Sequence, residues 1–348
     1  MPLLERLAPE QWDTLPDIPE PRENRSLFGH AETERQLASR YASGKLHHAL
    51  MLAGPRGIGK ATLAFRLAGH MIANPDPALA PSNLVPPPED SASWRQIATG
   101  GHPAILHLSR PYDDKRKLFR TALTVEEVRR VSRFVGTTQH DGAWRVVIVD
   151  PADDLNTNAA NALLKNLEEP PRRTLFILIA HAPGQLLATI RSRCQLVRLS
   201  PLSDKDLTQA IAASGAPVDE SGLPLLVERA GGSVREALLL ALNGGIELAA
   251  AADRVLGAAA FDVAEAAKIA EAVSGRESAI QFDLLNRYLL DRIAQSARSA
   301  ERGAAGRLAA LWQSTRTTVG EVEAYNLDKR QHVAGLLRLL HAAGIANT

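Results

Sequence analysis

The chain has 348 residues, enough for two or three domains with separate cores. Its 40 Lys and Arg balance 39 Asp and Glu, so its overall field does not hold it to nucleic acid. A single cysteine, Cys194, excludes an internal disulfide and a cysteine-rich metal site, and fits a reducing cytoplasm.

Residues 1–26 are rich in proline and acid and read as a mobile tail with one short helical turn. Glu5 comes early and no long apolar core follows, which argues against a secretory signal. No window is apolar enough to span a bilayer. Glu32 to Ala42 has helical periodicity, with Gly44 as a stop. "ALMLAG" (Ala49 to Gly54) is a short apolar strand that leads into "GPRGIGKATLA", and "KATLAFRLAGHMIA" then reads as a helix. The stretch over 74–102 breaks the pattern: "NPDPALAPSNLVPPPEDSASWRQIATGGH" holds six prolines, with Pro103 next, and predicts an irregular excursion.

Further strands are expected at "AILHL" (Ala104 to Leu108), "RVVIVD" (Arg145 to Asp150), "TLFILIA" (Thr174 to Ala180) and "CQLVRL" (Cys194 to Leu199). Between them, "TVEEVRRVSRFVGTT" predicts an amphipathic helix capped by Thr124. "NTNAANALLKNLEEPP" predicts one halted by Pro170 and Pro171. Five apolar strands alternating with helices imply an α/β domain over 27–200, built on a parallel sheet. After Pro201 only helical periods appear: a small unit over 201–243 and a bundle over 244–348.

The glycine loop carries the chemistry. Gly54, Gly57 and Gly59 let successive N–H groups point at phosphate oxygens, Lys60 adds charge, and a helix N-terminus follows. A magnesium-dependent site of this kind has a hydroxyl directly after the lysine. Ala61 has none, and Thr62 is turned by about 100° around the helix, where it can meet a phosphate but not replace the metal ligand. Asp150, at a strand end, suits a carboxylate that holds magnesium through water. The next residue in hydrolysing proteins is a glutamate base, and here it is Pro151. "LIAHAP" puts Ala180 and His181 where such an ATPase has a polar residue near the γ-phosphate. Three positions that serve one reaction are degraded together, so the pattern predicts a fold that keeps its frame and does not hydrolyse. Asp153 and Asp154 read as turn and cap acids, His47 and His48 as structural, and Arg129, Arg130 and Arg133 as a solvated face. Arg191 and Arg193 in "TIRSRC" read, by themselves, as a salt-bridging pair.

"LFGHAETERQL", "GKLHHALMLAGPRGIGKATLA", "NTNAANALLKNLEEPP", "ATIRSRC", "GGSVREAL" and "AYNLDKRQ" occur in the order seen in bacterial clamp-loader subunits, which the chain resembles from about Leu27 onward. The wording resembles alphaproteobacterial versions. The resemblance implies an AAA+ module, a helical lid over 201–243 and a helical collar over 244–348 that mediates oligomerisation. It implies a pentamer with ATP-hydrolysing gamma or tau subunits and the delta subunit, which opens the sliding clamp and places it on primed DNA. The degraded ATPase residues are similar to those of the member that does not hydrolyse: a subunit of a DNA-directed DNA polymerase holoenzyme with no catalysis of its own. Carried over, Arg193 is the arginine finger that completes a neighbour's ATP site, and Arg235 in "GSVRE" is the second-sensor arginine. Many relatives carry a four-cysteine zinc module where this chain has the proline-rich stretch, so no zinc is expected. The retained Gly54, Gly59 and Lys60 leave ATP or ADP binding without hydrolysis open. An active gamma- or tau-like motor is the rival reading, and it needs a magnesium ligand and a base. A polymerase or nuclease chain needs clustered metal-binding carboxylates, and none are evident.

Overall fold

The computed structural model of the chain describes residues 7–136 and 143–345. Two compact units are formed, Met1–Ala216 with Val227–Glu236, and Pro217–Leu226 with Ala237–Thr348.

The first unit runs α1 (Ala31–Ala42), β1 (Ala49–Ala53), α2 (Lys60–Ala73), α3 (Ala92–Ala98), β2 (Ile105–Leu108), β3 (Tyr112–Asp113), β4 (Leu118–Phe119), α4 (Val125–Gly136), β5 (Arg145–Val149), α5 (Thr157–Glu168), β6 (Thr174–Ala180), α6 (Ala188–Arg191), β7 (Gln195–Arg198) and α7 (Asp204–Ala213). Among the described residues the main sheet has five parallel strands in the order β2-β5-β6-β1-β7. This is the α/β architecture expected for that region. β1 and β6 are buried along their whole length, which is why they read as unbroken apolar runs rather than alternating ones. Val128 and Val131 of α4 pack with Leu163 and Leu167 of α5 against Val147, Val149, Phe176 and Leu178 of the sheet. At the start of α4, Glu127 accepts from the Thr124 backbone N–H at 3.3 Å and from its hydroxyl at 2.7 Å, one half of a capping box.

Helices follow: α8 (Leu223–Ala230), α9 (Val234–Leu242), α10 (Gly245–Gly257), α11 (Val263–Ala272), α12 (Ala279–Ser299), α13 (Arg302–Ala324) and α14 (Lys329–Ala342). In the second unit one core joins Val255 and Leu256 of α10, Ile269 of α11, Phe282, Leu285 and Leu289 of α12, and Leu336, Leu337 and Leu340 of α14. In "AYNLDKRQ", Asp328 caps α14 by accepting from the Gln331 N–H at 3.0 Å, and Lys329 lies over the Phe282 ring. α13 has 23 residues, of which Thr315 and Val322 are buried, so it presents most of its length to solvent.

Two local expectations need correction. From residue 7 on, the N-terminal stretch is not a free tail: Ala8, Leu15, Glu20 and Arg22 are buried, and its chain is held by the Glu23 carboxylate, which accepts from the N–H groups of Leu7, Ala8 and Glu20. The excursion over 74–102 contains α3, capped by Ser91 and anchored by buried Trp94, Ile97 and Ala98. Its prolines hid a short amphipathic helix whose apolar side is covered. The β3–β4 hairpin, which pairs Tyr112 with Phe119, was not anticipated, because two residues per strand carry no readable period. "GTTQHDG" beyond Gly136 lies largely outside the described residues.

Candidate functional site

The loop after β1 starts from the sheet centre, where the Gly54 N–H donates to the Ala180 carbonyl of β6 at 3.2 Å. Gly57 has φ +78°, and a Cβ there would lie 2.4 Å from both the Arg235 Cβ and the Ser233 Oγ. Gly59 has φ +99°, and a Cβ there would meet Leu27 at 2.8 Å. Both positions therefore demand glycine for backbone conformation, and Gly57 for space as well. Lys60 opens α2 and is buried, 3% exposed, with its Nζ donating to the carbonyls of Gly54 (2.8 Å) and Pro55. Burial pushes its ammonium down to about 8, against the opposing pull of Asp150 and Asp153. Ala61 and Thr62 follow on α2, and Thr62 is buried.

Asp150 follows β5, with its Oδ2 3.7 Å from Nε2 of His107 on the neighbouring strand β2. Pro151 comes next and is buried. The two later acids are engaged structurally. Asp153 accepts from the backbone N–H groups of His181 (2.7 Å) and Ala182 (2.8 Å), which fixes the turn after β6. Asp154 holds Arg110 in a two-point pair at 2.5 and 2.9 Å. Burial keeps both His107 and His181 below the usual imidazole range, and for His181 the nearby Lys60 adds to this. Neither imidazole gains the proton a general acid would carry at neutral pH.

Arg235 reaches the glycine loop at main-chain level: its N–H donates to the Gly57 carbonyl at 3.3 Å, and Ser233 Oγ donates to the Arg56 carbonyl at 2.9 Å. Sequence reasoning missed what lies on this arginine. Its Nη1 donates to the Asp13 carbonyl at 2.5 Å and stands 3.7 Å from the Asp13 carboxylate, which also pairs with Arg56 at 3.1 Å. Trp12 lies between two guanidinium groups, Arg56 at 4.3 Å and Arg110 at 3.7 Å from its ring centre. Nothing in the local composition of residues 1–26 announces these partners.

Arg193 stands at the end of α6, apart from this group. Its Nη2 meets the Glu168 carboxylate at 2.5 Å, and its Nη1 donates to the Thr189 carbonyl at 2.9 Å. Glu168, read from the sequence as a helix-end acid, is therefore what orients the arginine. Arg191 is exposed. Cys194 is buried enough that its thiol is pushed up to about 12. His47 and His48 stack on each other and bond backbone carbonyls, the structural role expected of them.

The structure thus gathers Gly54, Gly57, Gly59, Lys60, Asp150 and Arg235 at the carboxyl ends of the strands, where open parallel sheets bind ligands. The glycine cradle and the buried lysine fit a nucleotide's phosphates. They do not fit a hydrolytic centre, since Ala61 and Pro151 supply neither a hydroxyl ligand nor a base. Among the described residues no group of three or more His, Cys, Asp or Glu could hold a metal ion, and no helix is long and apolar enough to cross a membrane.

The sequence profile of the family described as "DNA polymerase III, delta subunit" matches residues 29–203. The chain is 35% identical over 205 residues to DNA polymerase III subunit delta' of Pseudomonas aeruginosa, covering 58% of this chain and 54% of that protein. It is 29% identical over 224 residues to DNA polymerase III subunit gamma of Buchnera aphidicola, covering 63% and 58%. The chain thus spans about half the length of the curated relatives it matches. A DNA polymerase III gamma subunit-related protein of Thermotoga maritima matches at TM-score 0.46 and 15% identity, covering 90% of this chain and 99% of that one.

Proposed function

The chain belongs to the DNA polymerase III, delta subunit, family, and from that membership we propose that it is a non-hydrolysing clamp-loader subunit of the delta prime kind. The observation that carries this reading is the split within one site. The glycine loop and Lys60 retain the anion cradle, while Ala61 and Pro151 occupy the positions of the magnesium ligand and the base. ATP or ADP can then bind through Gly54, Gly57, Gly59, Lys60 and Thr62, with Asp150 and Arg235 alongside, and is not turned over. When bound, the nucleotide supplies a phosphate chain. This chain's residues orient it and do not attack it.

In this reading the partners are gamma or tau subunits and the delta subunit. The sliding clamp and primed DNA are reached through the assembled complex. Residues 201–243 serve as the lid and 244–348 as the collar. The exposed length of α13 supports an assembly role for the collar. Arg193 acts in trans on a neighbour's γ-phosphate, and its half-buried place just beyond α6, where Glu168 orients it, supports that use.

The test is a loader reconstituted with Arg193→Ala. Its DNA-stimulated ATPase is expected to fall roughly fivefold or more with assembly intact. An unchanged rate removes the finger assignment. A parallel assay of the chain alone is expected to show no ATP turnover above a Lys60→Ala control. Lys60-dependent turnover would make the chain a motor instead.

A further inference from the structure

The N-terminal stretch meets the candidate site at four places. Ser109 Oγ, just beyond β2, donates to the Gln11 side chain. Trp12 is clasped by Arg56 of the glycine loop and by Arg110. Asp13 bridges Arg56 and Arg235. Arg22 Nη2 contacts His107 Nδ1 at 2.6 Å, and the other ring nitrogen of that histidine faces Asp150. Leu15 itself is buried. The stretch also supports itself: the Gln11 N–H donates to Thr14 Oγ1 at 2.8 Å, and the Thr14 hydroxyl donates to Glu20.

The two cations that Asp13 joins are those a polyanion would seek, one on the glycine loop and one facing it. We propose that residues 11–22 are an internal occupant of the nucleotide site, with the Asp13 carboxylate standing where a phosphate group of a nucleoside triphosphate would be held between Arg56 and Arg235. The proposal rests on reading the glycine loop as a nucleotide phosphate site. It explains how loop and arginine are joined within the chain itself, with Lys60 turned onto the carbonyls of Gly54 and Pro55.

The ion pair at the centre of the occupant is open to displacement. The side chains of Arg56 and Asp13 are 42% and 32% exposed, and an ion pair that wet is weak. A single carboxylate also brings one negative charge against the several of a triphosphate. Nucleotide and segment therefore exclude each other, and binding of one releases the other.

Equilibrium dialysis of the full chain against ATP tests this, with wild type, Asp13→Asn, Lys60→Ala and the double variant. Asp13→Asn is expected to bind ATP about tenfold more tightly than wild type, with Lys60→Ala weakening binding on the order of a hundredfold in both backgrounds. Lys60-dependent binding that is equal or weaker in Asp13→Asn overturns the proposal and leaves the nucleotide reading standing. No Lys60-dependent binding in any variant overturns both. Hydrogen exchange on the wild-type chain gives an answer that needs no substitution. Saturating ATP is expected to speed exchange across residues 8–23 about tenfold. Unchanged or slowed exchange there, with ATP bound, sinks the competition.

Discussion

The loop from Gly54 to Lys60 and the strand end from Asp150 to Asp154 form two halves of one crevice, and they have diverged in what their polar groups do. In the loop, the features that bind an anion are present: glycines at left-handed positions, and a buried cation at the start of a helix. At the strand end the two later acids serve the protein itself. Asp153 ties down the turn after β6, Asp154 ties down Arg110, and Pro151 has no side-chain base. Binding a phosphate needs preorganised donors, whereas cleaving one needs a metal ligand and a base. The two requirements sit on different strands, so one can persist when the other is gone.

The comparison breaks most decisively at Lys60. Lys60→Ala is expected to weaken ATP binding by the isolated chain on the order of a hundredfold, the worth of one charge-assisted contact of about 3 kcal/mol. On the proposed reading, in which this site does not turn over, the loader's ATPase is expected to stay near the wild-type rate. A large loss in the loader would show that nucleotide held here matters to the assembly.

A smaller effect is expected at Gly57. Alanine there must adopt φ +78° and press its Cβ against Arg235 and Ser233, for a loss of about 2–3 kcal/mol in urea unfolding of the chain. An unshifted midpoint would mean that the loop and Arg235 are not tightly joined.

The mildest prediction sharpens the loop's side of the contrast. The Lys60 ammonium is pushed down to about 8, so above that pH the chain free of phosphate loses the charge that an anion needs. ATP binding must then take up a proton, and affinity should fall by up to about tenfold per pH unit above 8. The sign for folding is opposite: the unfolded lysine keeps its proton to higher pH, so the penalty of burying the charge is complete below 8. It is relieved between about 8 and the ordinary lysine value. A titration of ATP affinity from pH 7 to 9.5, beside Lys60→Arg, checks the slope; a flat profile would exclude Lys60 from the contact.

Much of this architecture is written locally. β1, the glycine loop and α2 are adjacent in the chain, and burial on both faces makes β1 and β6 legible as apolar runs. The cap at Asp328 is equally local. The unreadable features depend on partners far away in sequence. Trp12 and Asp13 find Arg56, Arg110 and Arg235, at separations that no periodicity records. A stretch of acids and prolines reads as solvated when its counter-charges are unseen. Trp94 and Ile97 were passed over for a related reason, since the prolines before α3 mask a helix stabilised by what covers it. Glu168 looked like a helix-end acid because its use appears only when α6 is placed beside α5.

If Arg193 serves as the proposed finger, its pairing with Glu168 has two opposing effects on recognition. A guanidinium already fixed in direction loses less rotamer freedom on docking, a saving of about 0.5–1.5 kcal/mol per side chain. The same carboxylate is a rival acceptor, which any incoming anion must outbid for the guanidinium or share it with. A weak or misplaced anion leaves the arginine with Glu168, and only a highly charged group in line with the fork draws it away. The bridge thereby acts as a threshold on what Arg193 answers to.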